Sequence, residues 1–219
     1  MIASENMLNE VDVVASEGSR IQEQVQMSKI EVPIKQLKSL PAIFGEVDIM
    51  KTLQLLPGVQ SGGEGTSGLY VRGGSPDQNL ILLDGVPLYN VNHLFGFFSV
   101  FNADAISNVS LTKGGFPARY GGRLSSVLEI NMKEGNLREF HGDATASIIA
   151  SKLTLEGPLI KDKASFMVSG RRTYLDLLAK PFLANINSQD PDFSTSPTYY
   201  FYDMNAKVNY KIGKNDRLY

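Results

Sequence analysis

Residues Tyr199–Ile212 read YYFYDMNAKVNYKI, and the fold turns on how this stretch is read. Side chains of an extended strand alternate between two faces. One parity collects Tyr200, Tyr202, Met204, Ala206, Val208, Tyr210 and Ile212; the other collects Asp203, Asn205, Lys207, Asn209 and Lys211 after Tyr199 and Phe201. From Tyr202 onward one face is apolar and the other polar and charged. The length suits a tilted strand crossing a bilayer, and tyrosines stand near both ends of the apolar face. A half-buried strand of a soluble sandwich alternates in the same way, so this segment alone leaves both readings open.

The preceding residues extend the pattern. In ASFMVSGRRTYL, Ala164–Leu175, Phe166 and Val168 share one face while Ser165, Ser169 and Arg171 share the other, with Met167 as the exception. GDATASIIASKLTLEGPL, Gly142–Leu159, mixes small, hydroxyl and aliphatic residues. GPLIKDK and GKND are short turns rich in Gly, Pro, Asn and Asp, whereas a much longer loop separates Arg172 from Thr198. Short turns at one end of a sheet and long loops at the other are the habit of outer-membrane barrels. Arg138–Leu155 reads most simply as one long strand; if GPLIKDK turns on the periplasmic side, an even number of crossings must precede it, and the preferred reading is two short strands with a tight turn near Ile149–Ser151.

The front of the chain is a different object. EVDIMKTLQLL, Glu46–Leu56, places Val47, Met50 and Leu53 on one helical stripe, and Pro57-Gly58 ends it. GLYVRGG and NLILLDGVPLY follow as strands, the second folded back at Asp84-Gly85, a strong tight-turn pair. LILL is apolar on both faces, which predicts a strand covered on both sides. SNVSLTKGG and SSVLEINMKEG are further strands flanking FPARYGGRL. The expected architecture is a small α+β domain followed by antiparallel strands.

Several function classes fall away. GGEGTSG, Gly62–Gly68, contains a literal G-x-G-x-x-G, but a helix precedes it and a strand follows, the reverse of the order a dinucleotide cradle needs. A net charge of −2 gives no basic excess for nucleic acid. Cysteine is absent and the two histidines, His93 and His141, are far apart, so neither a thiolate nor a clustered-histidine metal site is expected. No catalytic spacing is present, and neither a cofactor nor an enzymatic activity is expected. MIASENMLNEVDVV lacks the basic and apolar regions of a signal peptide, and HLFGFFSVF is about half the length a spanning helix needs.

TLQLLPGV, LYVRGGSPDQNLILLDGVPLYN, ISNVSLTKGGFPARYGGRLSSVLEINMKEG and LTLEGPLIKDKASFMVSGRRTYLDL, in this order and spacing, resemble TonB-dependent outer-membrane receptors, with the flavour of Bacteroidota members. The resemblance implies an α+β plug domain at 17–136, preceded by an extended segment at 1–16 and followed at 137–219 by antiparallel β-strands of an incomplete transmembrane β-barrel. It implies active import through the outer membrane of a scarce nutrient (siderophore, haem, cobalamin, glycan or peptide), gated by plug rearrangement. The implied partners are TonB with its ExbB/ExbD energising complex, outer-membrane lipid and a surface lipoprotein.

Site residues follow from the same resemblance. Arg72, Arg119 and Arg123 would meet carboxylates of the barrel wall. Gly62, Gly63, Glu64 and Gly65 would form a flexible substrate-facing loop, with a plain connector as the alternative. Tyr89, Asn90, Asn92 and His93 follow a strand and would also face substrate, while Phe97, Phe98 and Phe101 read as core. Glu10, Val11, Asp12, Val13 and Val14 resemble the TonB-contact segment, and equally the plug's first strand.

The length departs from the family. A barrel of about 22 strands needs more than 200 residues beyond the plug, and about 80 follow Leu137. The expectation is therefore a truncated chain. The competing expectation is a free-standing soluble binding or scaffold domain whose back sheet folds alone.

Overall fold

The computed structural model describes residues 28–38, 45–63, 68–181, 199–213 and 216–219. Its first sheet is built from β1 (Lys29–Pro33), β4 (Asn79–Leu83), β5 (Val86–Pro87), β8 (Ile106–Thr112) and β9 (Ser126–Met132), in the order β1-β8-β9-β4-β5. All pairings are antiparallel except β4 with β9. Two short pairs complete this half: β2 (Val59–Gln60) with β3 (Tyr70–Val71), and β6 (Asn92–His93) with β7 (Phe98–Ser99).

One face of the first sheet carries Val109, Leu111, Leu128 and Ile130, all sealed from solvent. Against it pack Leu37 from α1 (Ile34–Lys38) and Ile49, Met50 and Leu53 from α2 (Ile49–Leu53). Burial of such side chains, about 1.5–3 kcal/mol each, is what holds this small domain together. The helix α2 is shorter than the periodicity of Glu46–Leu56 predicts. Asp48 stays extended and caps it, its carboxylate accepting from the Lys51 N–H, so the helix cannot begin earlier. Asp84 and Gly85 both take positive φ, 48° and 83°, the conformation a two-residue hairpin loop requires. In LILL, Ile81 and Leu82 are buried while Leu80 and Leu83 are half-covered, so the expected double-sided burial is partial.

The second sheet contains β10 (His141–Ala146), β11 (Ala150–Ile160), β12 (Ala164–Thr173), β13 (Tyr202–Lys211) and β14 (Arg217–Leu218), antiparallel and in chain order. The segment that reads as either one strand or two is two, β10 and β11. Their hairpin turns at 147–149, slightly before the predicted place, and β11 runs on to Ile160. The strands β11, β12 and β13 hold 11, 10 and 10 residues, the length that crosses a bilayer at a tilt.

This sheet is inside out. Lys152, Thr154, Ser165, Ser169, Arg171, Thr173 and Asn209 are buried, whereas Leu153, Leu155, Tyr202, Met204, Val208 and Tyr210 are exposed. Met204 is 74% exposed and Asn209, on the other parity of the same strand, 1%. Register explains the pattern. The rows Lys152–Arg171–Asp203, Thr154–Ser169–Asn205 and Glu156–Met167–Lys207 run across the inner face, while Leu155–Val168–Ala206 runs across the outer one. The inner face packs on the first domain, where Met167 meets Ala105 and Met132. That contact accounts for Met167 as the exception to the polar parity.

Candidate functional site

The surface between the two sheets is where charge is concentrated. Lys152 and Arg171 are direct cross-strand neighbours of like sign, an arrangement that is unfavourable unless each cation has its own counter-charge. The Lys152 ammonium lies 3.2 Å from Glu46 Oε2 and 3.6 Å from Asp104 Oδ2. Glu46 Oε1 also accepts from the Ser147 hydroxyl. Asp104 is held by Lys38 at 2.5 Å on its other oxygen. Burial alone would raise the Asp104 pKa; the Lys38 hydrogen bond and the fields of Lys152, Lys38 and Lys133 outweigh it and hold the carboxyl below its usual range.

Arg171 takes the neighbouring carboxylate. Its Nε and Nη2 both donate to Asp203 Oδ2, at 2.9 and 2.5 Å, and Nη2 also donates to the Ser99 carbonyl. The second Asp203 oxygen lies 2.6 Å from His93 Nε2, and the His93 ring stacks on Phe201 at 4.1 Å. Tyr199 Oη accepts from the Leu94 N–H. Strands β12 and β13 thus grip the segment from His93 to Ser99 through side chain, backbone and ring contacts together.

Lower down the same wall, Asn102 Nδ2 donates to Ser169 Oγ at 2.5 Å, and Lys207 pairs with Asp84 at 3.0 Å. At the crossing between the sheets, Glu134 accepts from Asn209 Nδ2 and Arg217 Nη1, and its carbonyl accepts from Ser165 Oγ. The interface is largely polar and hydrogen-bonded, with two small apolar clusters, Phe98 with Ile149 and Phe201, and Met167 with Ala105 and Met132. Such a surface can separate into a wet lumen without exposing an extended apolar face, because its polar groups regain water when they lose each other.

The arginines expected at this interface make different contacts. Arg72 donates to Ser28 Oγ. Arg119 stacks over Tyr120 and donates to its hydroxyl, which in turn donates to Glu129. Burial, then the Glu129 hydrogen bond, raises the Tyr120 pKa. Arg123 donates to the Gly122 carbonyl and sits near Asp77. The partners of all three lie within the first domain. The salt bridges to Lys152 and Lys207 set carboxylates Glu46, Asp84 and Asp104 of the first domain against lysines of the second sheet. Arg119 and Arg123 are satisfied by their own turn, Arg72 by the distant Ser28.

The substrate-facing candidates divide. Tyr89 is 88% exposed. Asn90 lines a cavity beside β13, and Asn92 belongs to β6. His93 is committed to Asp203. A Cβ on Gly62 would fall 2.5 Å from the Tyr70 ring, so a larger residue there requires the Tyr70 side chain to shift. Gly63 lies at the edge of the described region, while Glu64 and Gly65, like Glu10, Val11, Asp12, Val13 and Val14, lie outside the described residues. Phe98 and Phe101 are buried and Phe97 is partly so. Among the described residues no group of His, Asp and Glu is placed to hold a metal ion, and no helix is long and apolar enough to cross a membrane, which says nothing of a β-barrel.

A small α+β domain docked by polar contacts on the inner face of an inside-out antiparallel sheet defines the class: a plug seated against barrel strands. Residues 24–126, just under half of the chain, match the model of the TonB-dependent receptor plug domain. The ferrienterobactin receptor of Escherichia coli K12 is 30% identical over 152 residues, covering 56% of this chain and 20% of that protein. Among solved structures, the siderophore receptor PirA from Acinetobacter baumannii aligns with a TM-score of 0.58 at 22% identity, covering 88% of this chain and 30% of the other. PirA from Pseudomonas aeruginosa aligns at 0.56 and 18%, covering 86% and 33%. The fold, plug plus antiparallel barrel strands, is therefore shared with these receptors, and the chain spans between a fifth and a third of their length. The family is one of receptors and transporters rather than enzymes.

Proposed function

We propose that these residues form the plug and first wall strands of an outer-membrane importer, with the plug stoppering the lumen from the periplasmic side and rearranging to admit a scarce nutrient. The observation that carries this reading is the inverted burial of β11–β13: polar side chains sealed against the plug and apolar ones facing outward. A soluble scaffold domain would have to leave that apolar face in water, which monomeric soluble proteins avoid. In a bilayer the same face is solvated by lipid. The open edges of the five-stranded sheet would pair with further wall strands, since unpaired backbone is not tolerated against hydrocarbon.

Energy for the rearrangement would come from TonB and ExbB/ExbD, acting on an N-terminal segment for which Glu10–Val14 is our candidate. Arg72, Arg119 and Arg123 would face wall strands other than β10–β14. Tyr89 and Asn92, with the Gly62–Gly65 loop, would face incoming solute, and a surface lipoprotein would assist capture. The names of the related receptors make iron chelates the first nutrients to test, ahead of haem, cobalamin, glycans and peptides.

The test of the membrane reading is photolabelling of the chain in lipid vesicles with an apolar, bilayer-partitioning diazirine. Label is expected on Tyr202, Met204 and Val208 and not on Asn205 or Asn209. A chain that is monodisperse and cooperatively folded in plain buffer, with equal labelling of both parities, would overturn it.

A further inference from the structure

Along β13 the inward-facing side chains include Asp203, Asn205 and Lys207, and they behave differently. Asp203 is paired with His93 and Lys207 with Asp84. Between them the plug stands off the wall. A cavity of about 330 Å³ opens there, lined by Asn205 and Asp203 on the wall side and by Asn90, Asn102, Leu83 and Phe101 on the plug side. The two contacts are four residues apart on one extended strand, about 13 Å at ~3.3 Å per residue. The void therefore lies between one closure near the outer rim and another nearer the periplasmic end.

On the neighbouring strands the plug is in direct contact. Asn102 is bonded to Ser169, Met167 is packed on Ala105 and Met132, and Lys152 is clamped by Glu46 and Asp104. The plug is seated on β11 and β12 and stands off β13 only around Asn205, between the Asp203 and Lys207 contacts.

We infer that the solute route runs along β13, through this cavity, and that His93–Asp203 and Asp84–Lys207 are its two gates. Opening requires those two contacts to part, together with the His93–Phe201 stacking and the Leu94–Tyr199 bond at the upper gate; the Glu134–Asn209 bond below the lower gate and the contacts to β11 and β12 stay closed and keep the plug registered to the wall. When His93 leaves, Arg171 still neutralises Asp203, so opening this gate strands no carboxylate without a counter-charge. The Asn90, Asn102 and Asn205 amides offer both donors and acceptors beside apolar walls from Leu83, Phe101 and Met132, which suits a solute with both polar and apolar faces. This inference rests on the importer reading above and adds the path.

The 219 residues contain no cysteine, so single introduced thiols report cleanly. In the outer-membrane receptor carrying these residues, Asn205→Cys and Ser169→Cys are each exposed in cells to the trimethylammonium methanethiosulfonate reagent, with and without a working TonB. Energised cells are expected to modify the thiol of Asn205→Cys about tenfold faster than de-energised ones, leaving that of Ser169→Cys unreactive in both. Adding Asp84→Asn and His93→Gln to Asn205→Cys should speed its modification without TonB. Exposure of both thiols on energising means that the plug leaves as one body, and exposure of the β12 thiol alone puts the path elsewhere; either result overturns the β13 route and leaves the importer reading intact. No TonB-dependent change at either thiol overturns the importer reading and the route together.

Discussion

The Lys152 ammonium on the wall and the Glu46 carboxylate on the plug face each other at 3.2 Å, with both side chains almost sealed from water. Among the described residues Glu46 Oε2 has no hydrogen-bond partner, so the contact is Coulombic, reinforced by Asp104 at 3.6 Å from the same ammonium. Removing one partner of a buried pair leaves an uncompensated charge, a loss of about 3–5 kcal/mol. Lys152→Met should therefore destabilise the plug–wall unit by that order in micelles, measured by urea unfolding. Glu46→Gln combined with Lys152→Met should recover a substantial part, because only Asp104 then lacks its wall cation. Full additivity of the two changes would show that the residues do not interact.

The same cluster gives a pH dependence with a fixed sign. The folded-state pKa of Asp104 lies below its ordinary 3.8. Its contribution to stability is therefore fully present above that ordinary value, and is lost as pH falls through the lower folded value. Thermal midpoints in micelles should hold steady from neutrality to the region of about pH 4 and then decline. Asp104→Asn should lower stability at neutral pH and flatten the acid decline. An unchanged acid slope in that variant would assign the decline to other carboxylates.

The outer face predicts a different penalty. Ala206 lies mid-strand on the exposed parity, in the row with Val168 and Leu155. An arginine near a bilayer midplane costs about 2–4 kcal/mol. Ala206→Arg should impair folding into lipid vesicles by that amount, while a Ser151→Arg change at the hairpin end of β11, also on an exposed position, should have a much smaller effect. Equal effects at the two depths would mean that the face does not contact lipid.

The alternation in Tyr199–Ile212 and the Asp84-Gly85 turn are legible in the sequence because both are local: strand parity and φ preference depend on few neighbours. Parity correctly separates Asp203, Asn205 and Lys207 from Tyr202, Met204 and Val208. It cannot supply their partners. Glu46, Asp84 and Asp104 come from a turn preceding α2, a hairpin and the approach to β8, and nothing in the spacing of one sequence brings them to β11 and β13. Asp84 reads from sequence as a turn residue only; it is that, and a wall contact as well. Arg72, Arg119 and Arg123 stand out as cations beside glycines, yet the described structure satisfies them within the plug. Met167 is the informative misfit, since an apolar residue on a polar lumen face marks a place where that face is dry.

Gly135 marks the passage from plug to wall, and its substitution tests how tightly that passage is held. Its φ is +81°, and a Cβ there would fall 2.3 Å from the backbone oxygen of Phe166. A backbone oxygen at that distance cannot move aside as a flexible side chain would. The neighbours are fixed too, with Glu134 bonded to Ser165, Asn209 and Arg217, and the Asp162 N–H donating to the Leu137 carbonyl. Gly135→Ala must therefore adopt a disfavoured conformation, at roughly 1–3 kcal/mol, and push the crossing away from β12 as well. Asn136→Ala nearby loses only the turn bonds to the Arg138 and Glu139 N–H groups. The expected outcome is faster proteolysis between the plug and β10 in Gly135→Ala and near-native protection in Asn136→Ala. Equal protection of the two variants and the parent would mean that the crossing is not seated on β12.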